Sequence, residues 1–294
     1  MGELSRLAIA TLLAIAMSVR GYRKRSLNKS GAILALIVGF ISCAASITLG
    51  LTLIAFFLGS SRITKVGAAK KKKIEDGHQE GGNRNWVQVL ANGGLGTALA
   101  AVYWVLTRRA GLHPEQPLDF GGALADLSWL QAAYLCHYAC CNADTWASEL
   151  GVLASASPIL VTRPWKTVPP GTNGGVTWVG TGASLLGGLF IGLFFWLFGL
   201  ALQPSAVRGD QIPPQWPLIL LGAAAGVLGS LIDSFLGATL QYSGWCEKKK
   251  LVVEKPTETT RHISGWNVLD NHQVNFLAAA LTSAMGAFAA SRIL

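Results

Sequence analysis

The sequence predicts an all-α fold, a polytopic membrane helix bundle of about eight short or full crossings, and three observations predict it. Of the 294 residues 51% are hydrophobic and only 13% are charged, about half the charged share of an ordinary soluble domain. Five runs lack Asp, Glu, Lys and Arg altogether: 30–61, 85–107, 167–207, 211–232 and 271–291, holding 32, 23, 41, 22 and 21 residues. About 20 apolar residues of helix cross a hydrocarbon core of about 30 Å, so each run can fill a bilayer. The third observation is charge placement. The net charge of +9 is concentrated in loops at 20–29, 62–84 and 248–261, with five, seven and five basic residues, and positive loops stay on the side from which insertion occurs. The Leu, Ala and Gly-rich runs show none of the ten-residue alternation of an outer-membrane barrel.

The elements follow in order. Leu7 to Val19 is apolar and is succeeded by Arg20, Arg23, Lys24 and Arg25 instead of a small-residue cleavage site. It reads as a retained helix, with no cleavable signal or transit peptide. Residues 30–61 lie between two basic loops and must cross an even number of times, as two short helices breaking near Ala44, Ala45 and Ser46. The chain then goes outward through Trp86 to Leu106 and returns through Leu127 to Cys141. It leaves between Gly175 and Leu200, returns between Trp216 and Leu240, and leaves again from Val274 to Ala290. These are eight crossings in one integral membrane domain spanning 1–294, with basic inner-face loops near 20–29, 60–85 and 242–270. Arg108 and Arg109 fall on the outer face, against the charge rule. Asp144-Thr145-Trp146 and Asp233-Ser234-Phe235, 89 residues apart, suggest an internal two-helix repeat, with a chance match as the alternative. Cys43, Cys136, Cys140, Cys141 and Cys246 are an odd set mostly in apolar segments, read as reduced packing residues.

Charged side chains at membrane depth cost about 2.5–3.5 kcal/mol on insertion scales and mark functional sites by default. Asp233 has no Lys or Arg within fourteen residues; its carboxylate needs a metal ion, a proton or a partner from another segment, a hydrogen-bonded packing role being the alternative. Asp144 and Glu149 are the next acids. On a straight helix their five-residue separation turns about 500°, placing them about 140° apart, so they would not jointly chelate one ion. Asp144 alternatively caps a helix beginning at Thr145. The segment Arg163 to Gly175 has the composition of an anion site: Arg163 and Lys166 precede Pro169-Pro170, and Gly171, Thr172, Asn173, Gly174 and Gly175 follow. Glycines that take positive φ let backbone N–H groups converge on phosphate oxygens. Arg62 and Lys65 are further phosphate candidates, whereas Lys70 to Lys73 read as a solvated or headgroup patch. Asn92 and Asn271 are polar groups at helix ends, with helix packing as the alternative. His78, His113 and His262 lack metal-ligand spacing and receive no role. On the eight-crossing topology these carboxylates, cations and glycines share one membrane face, and together they are the parts of a phosphoryl-transfer site.

Residues 58–68, Gln88 to Gly94 (QVLANGG), Ala143 to Gly151 (ADTWASELG), Arg163 to Gly175 (RPWKTVPPGTNGG), Gly229 to Gln241 (GSLIDSFLGATLQ) and Asn271 to Ala278 (NHQVNFLA) resemble the signature blocks of the transmembrane protein 19 family. That family of integral membrane proteins includes a chloroplast phytyl-phosphate kinase, and the resemblance covers nearly the whole chain. It implies an enzyme passing phosphate from a nucleoside triphosphate, CTP or another, to an isoprenoid phosphate. On that reading Asp144 and Asp233 hold Mg²⁺ with Glu149 in support, and Arg62, Lys65, Arg163, Lys166 and the 171–175 turn bind phosphates. The expected partners are the lipid bilayer, the isoprenoid phosphate and the nucleotide, with no nucleic acid. A reading of a different class is a transporter or lipid-binding membrane protein in which the Asp residues line a pathway.

Overall fold

The computed structural model describes residues 2–72, 81–122, 124–205 and 212–294. Eight long helices carry the described chain: α1 (Glu3–Arg23), α2 (Lys29–Ala45), α3 (Ile47–Ile63), α5 (Trp86–Arg109), α6 (Ala125–Gly151), α7 (Trp178–Leu202), α8 (Pro217–Leu240) and α9 (Asn271–Ile293), with a single-turn α4 at Ala68–Lys71. Five of them, α1, α5, α7, α8 and α9, are long and apolar enough to cross a membrane, while α2 and α3 are shorter apolar helices of 17 residues. The protein is a polytopic helical membrane protein.

The break in the first charge-free run falls at Ser46, whose hydroxyl accepts from the Leu49 amide at 3.3 Å and caps α3. Asn28 caps α2 in the same way through the Gly31 amide at 2.9 Å. A buried carboxylate completes the start of α3. Glu115 accepts from the Ser46 hydroxyl at 2.7 Å and from the amides of Ile47 and Thr48 at 2.7 and 3.2 Å, satisfying donors that the first turn of a helix leaves open. At the same end of the bundle Arg108 pairs with Glu3 at 2.8 Å, and this neutralises one of the two cations that the charge rule did not expect there.

The 27-residue α6 is the centre of the bundle and packs against α3, α5, α7, α8 and α9. Its residues 131–143 are buried without interruption. Tyr134 donates to the Leu49 carbonyl at 2.9 Å, His137 Nε2 meets the Asn92 carbonyl at 2.9 Å, and Asn142 donates to the Gly187 carbonyl at 2.8 Å. A helix enclosed by other helices carries polar side chains that find protein partners, which is why α6 is less apolar than its lipid-facing neighbours. The helix runs on from Cys141 to Gly151, so Asp144 lies inside α6 and caps nothing.

Helices α7 and α8 cross closely because their contact is made of glycine. Gly188 and Gly192 on one, and Gly222 and Gly226 on the other, are both G-x-x-x-G pairs. A Cβ at Gly222 would meet the Gly192 backbone, and one at Gly226 would meet Gly188 Cα. Small residues at this spacing let helix backbones approach in a bilayer.

The long connections after α6 and α8, read from the sequence as loops, each contain a three-stranded antiparallel sheet. The first has strands β1 (Ile159–Leu160), β2 (Arg163–Thr167) and β3 (Gly175–Val176) in the order β2-β1-β3; the second has β4 (Ser243–Cys246), β5 (Leu251–Val253) and β6 (Thr260–Ser264) in the order β5-β4-β6. These ladders pair backbone groups that a long connection would otherwise leave without partners. The N-terminal side of the same face is tied by the strand-like pairing of 25–28 with 83–84, in which the Arg84 carbonyl accepts from the Asn28 amide at 3.0 Å.

Candidate functional site

The ends of five helices on this face enclose a polar cavity of about 1330 Å³. Its wall takes residues from the starts of α5, α7 and α9, the ends of α6 and α8, the turn before β3 and the hairpin between β4 and β5. Asp144, immediately after the buried stretch of α6, and Asp233, two turns before the end of α8, both line it and lie within electrostatic reach of each other. The Asn275 side-chain amide on α9 lies against Asp233, and with its nitrogen turned toward α8 it would donate to Asp233 Oδ2 at 3.2 Å and to the Asn271 carbonyl at 2.8 Å. In that orientation the amide would direct one oxygen of Asp233. The amide stands one turn into α9, where Asp270 caps the helix by accepting from the amides of His272 and Gln273, each at 2.9 Å.

Glu149 also lines the cavity, but it is held by Lys71 at 2.5 Å. The lysine side chain has 0% exposure and the glutamate 19%. Lys71 further donates to the Thr64 carbonyl at 3.2 Å. The solvated role expected for 70–73 therefore fails at Lys71, because α4 folds the residue back over the end of α6; Lys73 and His78 lie outside the described residues.

Of the cations expected to bind phosphate, none lines this cavity among the described residues. Arg62 is exposed on α3, and Lys65 turns to the Lys24 carbonyl at 3.1 Å. Arg163 and Lys166 lie on β2, and the strand order β2-β1-β3 sends them to the sheet edge away from β3; Lys166 donates to the Ile263 carbonyl at 3.3 Å. Arg84, Lys248, Lys249 and Lys255 stand in the wall instead. Arg84 donates to the hydroxyls of Thr64 at 3.1 Å and Ser61 at 3.5 Å. Burial pulls its guanidinium below the ordinary arginine value, and the nearby Glu149 carboxylate opposes that pull. These four residues sit in loops rich in other basic residues, so composition does not separate them.

Gly171, Thr172, Asn173, Gly174 and Gly175 all reach the cavity. Gly171 and Gly174 take positive φ of 85° and 75°. The amides of Thr172, Asn173 and Gly175 are already engaged, by the Pro169 carbonyl, the Ser243 hydroxyl and the Thr172 carbonyl. The turn is thus closed on itself and does not present a row of converging donors. Gly174 serves another purpose, since a Cβ there would strike Ala238 and the Ser234 carbonyl of α8. Asn92 and Asn271 both line the cavity, Asn92 with its side-chain amide on the Gln88 carbonyl at 3.1 Å. His113 accepts from the Glu115 amide and His262 bonds the Gly265 carbonyl, so each has a local partner. All five cysteines are free and buried.

The arrangement offers two carboxylates in one polar cavity, the Lys71–Glu149 ion pair, and cations entering from loops. The likenesses of the chain point to a membrane family. It is 44% identical over 278 residues to Protein PGR of Arabidopsis thaliana, an alignment covering 95% of this chain and 94% of that protein. It is 29% identical over 247 residues to an uncharacterised membrane protein of Methanocaldococcus jannaschii, covering 83% of this chain and 87% of that one. No solved structure matches the chain. The family described as integral membrane protein DUF92 matches residues 12–283, and the chain belongs to that family.

Proposed function

We propose that this protein transfers a phosphate from a nucleoside triphosphate, CTP or another, to an isoprenoid monophosphate, giving the isoprenoid diphosphate. The observation that carries the reading is the pair Asp144 and Asp233, close together in a polar cavity that also presents Arg84 and Lys248. Two neighbouring carboxylates repel each other unless a cation or a proton intervenes. Mg²⁺ is usually held by one or two carboxylates, with substrate phosphates and water as its other ligands. With Glu149 engaged by Lys71, Asp144 and Asp233 are the two carboxylates this reading assigns to the ion, the remaining ligands coming from phosphate and water. Asp144 and Asp233 would hold the ion, which when bound neutralises phosphate oxygens. Asn275 orients Asp233, and Arg84 and the hairpin lysines offset phosphate charge. An isoprenoid phosphate is already ionised and needs little help from a base, so positioning and charge neutralisation carry most of the rate. The resemblance to the transmembrane protein 19 family supports the substrate class.

The test incubates the purified chain with labelled nucleotide, Mg²⁺ and phytyl or geranylgeranyl phosphate. A labelled diphosphate is expected, and Asp144→Asn or Asp233→Asn should cut its formation about a hundredfold or more, as loss of a charge-stabilising group does. A folded protein that makes no diphosphate from any isoprenoid phosphate with any nucleoside triphosphate overturns the reading. Retained binding of the isoprenoid phosphate would then favour a lipid-binding protein.

A further inference from the structure

Beside the polar cavity, an apolar cleft of about 90 Å³ opens between α1, α2, α3 and α5. Met17, Ala35, Val38, Leu53 and Phe56 line it, and Cys43 lies at its far end. The cleft and the cavity share four residues, Arg84, Gln88, Asn92 and Thr145, so the two spaces meet at one polar threshold. Along α3 the cleft extends from Ser60 to Leu53, a depth of roughly 10 Å at the helical rise. At about 90 Å³ it is smaller than the roughly 150 Å³ cavity that takes one benzene, so it seats the first few carbons of one chain beside the threshold and not a whole tail. At the threshold the Arg84 guanidinium donates, among the described residues, to neutral hydroxyls. The nearby Glu149 carboxylate is already paired with Lys71, so the guanidinium retains charge to hold an anion, and charge-assisted bonds are the stronger ones.

We infer that the cleft is a channel for the first carbons of the tail of a single-chain lipid phosphate, with Arg84 at its mouth binding the phosphate and so setting which end of the lipid enters the cavity. The inference rests on the proposed function only for the choice of phosphate as head group; the tail channel stands on its own geometry. Its chemistry requires a ligand that is apolar along one chain and anionic at the tip, and it excludes free phosphate and two-chain lipids as good ligands.

Equilibrium binding to the full chain in zwitterionic nanodiscs tests this, with geranylgeranyl phosphate, geranylgeraniol, inorganic phosphate and phosphatidic acid as probes. The wild-type chain is expected to bind geranylgeranyl phosphate at least about tenfold more tightly than the other three. Ala35→Trp and Leu53→Trp, which fill the cleft from two different helices, should each weaken that binding about tenfold and leave inorganic phosphate binding unchanged. Arg84→Gln should remove the preference for the phosphate over the alcohol. Unchanged affinity in both tryptophan variants, a retained phosphate preference in Arg84→Gln, or equal binding of phosphatidic acid would overturn the inference. Tight, Arg84-dependent binding by a protein that forms no diphosphate would overturn phosphate transfer and leave the channel standing.

Discussion

Lys71 is fully buried, and its ammonium meets Glu149, which keeps partial contact with the cavity. Removing one partner of a buried ion pair leaves the other charge uncompensated, at about 3–5 kcal/mol when both are dry. Because Glu149 reaches the cavity, Lys71→Met should cost less than that, about 2 kcal/mol. Glu149→Leu leaves the ammonium, among the described residues, with the Thr64 carbonyl and should cost more. Thermal unfolding of both variants and the double variant in nanodiscs measures the order, and a Lys71→Met variant less stable than Glu149→Leu would contradict it. Cys246 offers a second reading of local electrostatics. Backbone amides of Lys249 and Lys248 and the Thr259 hydroxyl pull its thiol below the ordinary cysteine value, the Lys249 amide most strongly. Like the other four it is buried, but it stands in the wall of the polar cavity, whereas they lie within α2 and α6. More thiolate at a given pH means faster alkylation. Iodoacetamide followed by peptide mapping should therefore modify Cys246 first, with a rate that levels off at a lower pH than for a free thiol; preferential labelling of Cys43 or Cys136 would refute this. Asp144 and Asp233 were legible in the sequence because a carboxylate in an apolar run has no solvated explanation. Arg84 and Lys248 were not, since in a basic loop a cation that faces the cavity looks the same as one that faces water.

The crossing of α7 and α8 sets where Asp233 stands, and it depends on four glycines. A side chain at Gly226 would collide with Gly188 Cα and the Ala143 methyl, separating α8 from both α7 and α6. Overpacking a tight contact costs about 1–3 kcal/mol, occasionally more. Gly226→Leu should therefore lower the unfolding temperature and abolish diphosphate formation together. Gly182→Ala, on the same helix as Gly188 but with open space around its Cβ position, should leave both within about 0.5 kcal/mol of wild type. Equal effects from the two variants would show that the glycine crossing does not organise the site. The helices themselves could be read from runs of missing charge, and the break at Ser46 from a run too long for one crossing and too short for three. The two sheets could not. Strands of two to five residues carry too few positions for an alternating pattern, and it is their order that removes Arg163 and Lys166 from the cavity while bringing Gly174 against α8.

Eight long helices that alternate in direction put both termini on one side of the bundle and both sheets on the other. The side of the sheets is set by charge: Lys248, Lys249 and Lys250 lie in the β4–β5 hairpin, and Arg20, Arg23, Lys24 and Arg25 close α1 at the same end of the bundle. Basic residues resist translocation, and clusters beside a helix end fix its orientation. The opposite end has Arg108 and Arg109, but Glu3 pairs with Arg108 there, which leaves a weak cationic signal against the strong ones. The cavity, lying between the helix ends and the sheets, would then face the compartment from which the protein is inserted. Single cysteine substitutions test this in sealed vesicles, in a background with the native cysteines replaced: Ser157→Cys and Thr257→Cys on the sheet side, Gly2→Cys and Leu294→Cys at the termini. A membrane-impermeant maleimide should label one pair only, and the other pair should react after permeabilisation. Between Gly2 and Ser157 lie α1, α2, α3, α5 and α6, an odd number of helices, so these two positions should react from opposite sides. A re-entrant α2–α3 pair removes two crossings at once and keeps that outcome. Labelling of Gly2→Cys and Ser157→Cys from the same side would instead require an even number of crossings, most simply an α1 that lies along the membrane surface, and the apolar cleft would then lose one of its four walls.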